Sequence, residues 1–100
     1  MKSWDTLALA DYHDEGPNAS LLHEDANVRM LLISFKAGQK VDPCVIERDV
    51  VFCSVRGKAT IWAEGKAIAL RPGVVVTVPR GVERTIGAED DSLVVAVQTK

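Results

Sequence analysis

The sequence predicts an all-β fold, a small sandwich or barrel of eight or nine short strands. Turn signals recur every few residues, at Gly38-Gln39, Glu64-Gly65-Lys66, Arg71-Pro72-Gly73 and Pro79-Arg80-Gly81 among others. The stretches between them are strand-sized and rich in β-branched residues, as in Val74-Val75-Val76 and Leu93-Val94-Val95-Ala96-Val97. No helix of useful length is signalled after residue 20.

The elements follow in chain order. Residues 1–19 scatter Trp4, Leu7, Leu9 and Tyr12 among polar side chains and end in Gly16-Pro17-Asn18. This reads as an N-terminal arm that cannot bury itself, so it is expected to pack on the barrel of residues 20–100 or on a partner subunit. Ser20–His23 is a weak strand closed by Glu24-Asp25-Ala26-Asn27. Val28–Lys36 is apolar on both faces, as in a strand covered on both sides. Val41–Ile46 and Val50–Val55 read as a hairpin around the charged tip Glu47-Arg48-Asp49. Ala59–Ala63 and Ala67–Leu70 form a second, tight hairpin through Glu64-Gly65. Arg71-Pro72-Gly73-Val74 has the residues of a type II turn, Pro setting φ and Gly supplying a positive φ. Val74–Val78, Glu83–Ile86 and Leu93–Gln98 complete the series.

Composition narrows the function classes. Charge is nearly balanced, with 12 basic and 14 acidic residues, which argues against a general nucleic-acid or anionic-membrane surface. Hydrophobic residues are 47% of the chain but aromatics only 5%, so aliphatic side chains must build the core. No apolar run approaches the ~20 residues of a membrane helix, and the N-terminus lacks the apolar segment of a secretory signal. Cys44 and Cys53 make no disulfide framework, and a reduced, cytoplasmic protein is expected.

Two glycine-framed stretches carry a resemblance. Gly38, five residues, Cys44-Val45-Ile46, three residues, Val50, six residues and Gly57 keep one set of spacings. Gly73, five residues, Pro79-Arg80-Gly81, two residues, Arg84, three residues and Ala88 keep another. Together they resemble the two motifs of the cupin superfamily, small single-domain jelly-roll β-barrels, over roughly residues 28–98. The resemblance implies a homodimer in which the N-terminal segment adds to the partner's sheet. It also implies a metal site of three histidines and a glutamate. Those positions hold Cys44, Ile46, Val50 and Arg84 here. Ile46 and Val50 carry no donor, arginine stays protonated, and one thiol does not make a metal site, so no metal and no other cofactor is expected. Metal-dependent cupin reactions do not carry over.

If Ile46 and Val50 pair across the tip, Cys44 lies opposite Phe52 and all four share one face. The resemblance turns that face into the barrel, continued by Ser54, with Arg84 and Ile86 from the facing strand. The expected ligand pocket is therefore Cys44, Ile46, Val50, Phe52, Ser54, Arg84 and Ile86: mainly apolar, with one thiol, one hydroxyl and one guanidinium. Cys53 points the other way, against a disulfide with Cys44. Each residue has a plainer reading. Cys44 is either a reactive thiol or a small buried hydrophobe, and Arg84 either binds an anion or reaches solvent or an acid such as Asp42 or Glu47. Glu47, Asp49, His13 and His23 read as surface residues before they read as displaced metal ligands. Trp4 and Trp62 read as packing or interface residues.

Three functions remain, in this order. The first is a metal-free barrel that binds or senses a small organic molecule. The second is a structural or interaction module with a filled barrel. The third is a metal-independent enzyme using Cys44, for which no catalytic constellation is visible.

Overall fold

The computed structural model describes residues 1–100 as nine β-strands without a helix. They are β1 (Asn18–Glu24), β2 (Val28–Phe35), β3 (Lys40–Cys44), β4 (Val50–Arg56), β5 (Ala59–Ala63), β6 (Lys66–Leu70), β7 (Val75–Val78), β8 (Arg84–Ala88) and β9 (Ser92–Thr99). A five-stranded sheet of order β1-β2-β9-β4-β7 faces a four-stranded sheet of order β3-β8-β5-β6, every pair antiparallel. No helix in the chain is long and apolar enough to cross a membrane.

Strand alternation builds the core between the sheets. Val50, Phe52 and Ser54 on β4 and Val94, Ala96 and Gln98 on β9 are buried at every second position. Ala59 and Ile61 on β5, and Arg84, Ile86 and Ala88 on β8, answer them from the other sheet. Phe35 and Ile61 are almost fully buried, each worth about 1.5–3 kcal/mol relative to an exposed position. The β5–β6 connection places Glu64 and Gly65 both at positive φ, 54° and 72°, the pattern of a two-residue type I′ turn. Val74 donates its N–H to the Arg71 carbonyl at 2.9 Å and Gly73 has φ 95°, as a type II turn requires.

One expected pairing does not form. Val41–Ile46 and Val50–Val55 are not a hairpin, so Cys44 does not lie opposite Phe52. β3 pairs with β8, β4 pairs with β7 and β9, and residues 45–49 cross from one sheet to the other. The crossing satisfies its backbone elsewhere. Ile46 accepts from the Gly81 N–H at 2.9 Å, and the Asp49 carbonyl accepts from the Thr99 N–H at 2.9 Å. The Asp49 carboxylate accepts from the Arg80 N–H at 2.9 Å, fastening the Pro79-Arg80-Gly81 turn to the same crossing.

The arm lies along its own barrel. Ser34 Oγ accepts from the Asp11 N–H at 3.1 Å, the His13 carbonyl accepts from Gln39 Nε2 at 2.6 Å, and Lys36 pairs with Asp14. Trp4 packs near His23, ring centres 6.0 Å apart. β1 begins at Asn18, so the strand starts slightly before the expected end of the arm.

Candidate functional site: an apolar cavity with a buried guanidinium

A cavity of about 300 Å³ lies between the two sheets toward the β1–β3 side. The five-stranded sheet lines it with Leu31 and Ile33 of β2, Phe52 of β4, and Ala96 and Gln98 of β9. The four-stranded sheet supplies Val41 and Cys44 of β3 and Arg84, Thr85 and Ile86 of β8. Ile46 closes it from the crossing, and Pro17 and Ala19 from the start of β1.

A bulge sets which β3 side chains reach it. Val41 pairs with Ile86 and Cys44 with Arg84, so Asp42 and Pro43 together oppose Thr85 alone. In a regular strand, residues three apart such as Val41 and Cys44 would point to opposite faces. With the bulge, both face the cavity. Pro43 suits the position because it has no N–H to leave unpaired. Cys44 and Arg84 are therefore direct cross-strand partners on the inner face.

Arg84 is the dominant charge. Its residue is only 3% exposed. Nε donates to the Val82 carbonyl at 3.0 Å and Nη2 to the Pro79 carbonyl at 3.4 Å. Nη1 is buried with no protein hydrogen-bond partner, and no carboxylate lies within ion-pair distance of the guanidinium. Burial pushes the guanidinium below its ordinary pKa, and the nearby Cys44 opposes that shift. Gln98 is the second polar group. Its Oε1 accepts from Arg48 Nη1 at 3.1 Å, which leaves its amide nitrogen to donate. The Thr85 hydroxyl is committed to the Val41 carbonyl.

Of the residues expected in the pocket, Cys44, Ile46, Phe52, Arg84 and Ile86 line the cavity. Val50 and Ser54 are buried in the packed core beyond it, and the Ser54 hydroxyl has no partner there. The sequence reasoning missed Pro17, Ala19, Leu31, Ile33, Val41, Thr85, Ala96 and Gln98. Pro43 inside a strand was the available signal for Val41, and Gln98 continues the inward alternation of Val94 and Ala96.

The remaining candidates sit elsewhere. His13 is 3.2 Å from Asp11 and His23 is 2.8 Å from Asp25. Asp49 holds the Arg80 turn, and Glu47 is exposed. Trp62 lies on the outer face of the four-stranded sheet, over Gly87 and beneath the Lys40 ammonium at 5.3 Å. Cys53 is free on the outer side of β4. No three His, Cys, Asp or Glu side chains converge anywhere in the chain. With a thiol, two aliphatic side chains and a guanidinium at the cupin ligand positions, the donor set does not fit a metal ion.

No protein-family model and no curated protein sequence matches the chain. Solved structures do. The chain is similar to TT1209 from Thermus thermophilus, at 22% identity and a TM-score of 0.92 over 99% of this chain and 97% of that one. It is similar to an RmlC-like cupin protein from Desulfovibrio desulfuricans, at 24% identity and a TM-score of 0.91 over 99% and 96% of the two chains. A mutant salicylate 1,2-dioxygenase from Pseudoaminobacter salicylatoxidans shares 18% identity at a TM-score of 0.78, over 85% of this chain and 26% of that one. At such identities the likeness establishes the cupin fold alone, a fold shared here by a dioxygenase and an RmlC-like cupin protein.

Proposed function

We propose that this cupin-fold chain is a metal-free protein that binds or senses a small organic molecule in the cavity between its sheets. The cavity itself carries the reading: about 300 Å³, with nine hydrophobic residues among its 13 lining residues and one buried guanidinium. Ligand sites are concave, mostly apolar and marked by a few polar groups, with volumes from roughly 300 Å³ upward. Binding is favoured over catalysis because Cys44 has no base beside it, both histidines being engaged with their own aspartates.

A filled structural module is the second reading, favoured by the tight packing of Val50, Ile61 and Val94 beyond the cavity. Leu7 and Leu9 of the arm are exposed, which suits a homodimer formed through the arm. Free Cys44 and Cys53 suit a reducing, cytoplasmic setting.

Native mass spectrometry on protein purified without chelator or metal-affinity resin tests these assignments together. The expected result is a dimer without metal that carries an organic adduct or takes up added 1-hexanol at one per chain. Stoichiometric metal, or a barrel that takes up no apolar molecule, would overturn the reading.

A further inference from the structure

From the buried guanidinium of Arg84, in the wall of an apolar cavity and without a carboxylate partner, we infer that the ligand is an apolar monocarboxylate whose head group pairs with Arg84. This rests on the binding reading above and names the ligand's chemistry.

A guanidinium at 3% exposure needs compensation, because a buried charge without a counter-charge costs several kcal/mol. The protein supplies part of it through two backbone carbonyls, which carry partial dipoles and no net charge. No carboxylate of the chain reaches Arg84. Glu83, adjacent in the chain, and Asp42, on the strand paired with β8, are both exposed. Arg48, the other cation near the cavity, donates to Gln98 and makes no ion pair either. The missing partner is an anion.

The donor inventory selects among anions. Nε and one N–H of Nη2 are used, which leaves both N–H groups of Nη1 and the second of Nη2, an edge that two oxygens of one anion can grip. The amide nitrogen of Gln98 is a second, neutral donor, and Thr85 is committed to Val41. The single positive charge of the guanidinium matches the single negative charge of a carboxylate. A phosphate dianion would leave charge and lone pairs unsatisfied. Beyond the head group, Leu31, Ile33, Ile86 and Ala96 present only hydrocarbon. The volume of about 300 Å³ holds roughly ten non-hydrogen atoms at about 30 Å³ each, the share of a water molecule in the liquid.

Isothermal titration calorimetry with hexanoate, 1-hexanol and inorganic phosphate tests the assignment on the intact protein. Hexanoate is expected to bind at least about tenfold tighter than 1-hexanol, the worth of a charge-assisted hydrogen bond, with no detectable phosphate binding. Arg84→Met should erase the preference for hexanoate over 1-hexanol. Ala19→Trp, at an exposed position on the cavity rim, should weaken both. Equal binding of hexanoate and 1-hexanol by the unmodified protein overturns the carboxylate assignment and leaves the cavity reading standing. Tighter binding of phosphate than of hexanoate overturns it too. Binding of neither organic probe overturns both. The comparison of ligands on the unmodified protein decides even if Arg84→Met fails to fold.

Discussion

Cys44 on β3 and Arg84 on β8 face each other across one antiparallel pair, placing a thiol directly beside a buried guanidinium. The pairing makes Cys44 a reporter of whatever occupies the space before Arg84. Iodoacetamide labelling followed by mass spectrometry should show Cys44 protected by saturating hexanoate, while Cys53, on the outer side of β4, reacts at an unchanged rate. Equal protection of both cysteines, or of neither, would place the ligand outside this cavity.

Arg84 is expected to serve binding at the expense of stability. Replacing a buried, uncompensated charge by a hydrocarbon of similar volume is often stabilising. Arg84→Met should raise ligand-free stability by about 1 kcal/mol in calorimetric unfolding. A marked loss would mean that the hydrogen bonds to Val82 and Pro79 outweigh the desolvation of the charge.

Gly57 is fixed by crowding as well as by its backbone. It has φ 82°, and a Cβ there would lie 2.2 Å from the Asp91 carbonyl oxygen and 2.5 Å from Ser92 Oγ. Backbone cannot yield as a flexible side chain can, so Gly57→Ala should cost about 3 kcal/mol, read as a lowered urea midpoint. Gly38→Ala has a positive φ but nothing within 4 Å, and should cost less.

Asp25 closes the β1–β2 turn. Its carboxylate accepts from the Asn27 and Val28 N–H groups at 2.7 and 3.0 Å and lies 2.8 Å from His23 Nε2. His23 and these two N–H groups hold its pKa well below the usual carboxylate range. A depressed native pKa contributes stability above the unfolded value of about 3.9 and loses it as pH falls toward the native value. Asp25→Ala should therefore lower Tm at neutral pH, and the gap from the unmodified protein should narrow below about pH 4. A gap unchanged down to about pH 2 would assign the effect to the shape of the turn, not to its charge.

The fold was legible because its turns are written in residues with few alternatives: Glu64-Gly65, Arg71-Pro72-Gly73 and Pro79-Arg80-Gly81 all bend where expected. Pairing was less legible. A short charged tip between two apolar strands suggests a hairpin, and nothing local shows that Ile46 and Asp49 will bond to residues far along the chain. The site was read in part. Positions on β4 and β8 follow simple alternation, whereas Val41 depends on the bulge, and Leu31 and Ile33 depend on which face of a doubly apolar strand turns inward. The lack of an acid for Arg84 could not be read at all, because Asp42 and Glu47 flank Cys44, the cross-strand partner of Arg84, and their distance from the guanidinium is a property of the folded chain.

The bulge at Asp42-Pro43 means that part of the cavity's chemistry is encoded by counting. Two residues opposing one let Val41 and Cys44, three apart in the chain, share the inner face. Pulling the bulge straight at constant length would turn one of them outward, whereas deleting Pro43 would leave them two apart and both still inward. The register of β3 against β8 is therefore as much a determinant of the inner surface as the identity of the residues that line it.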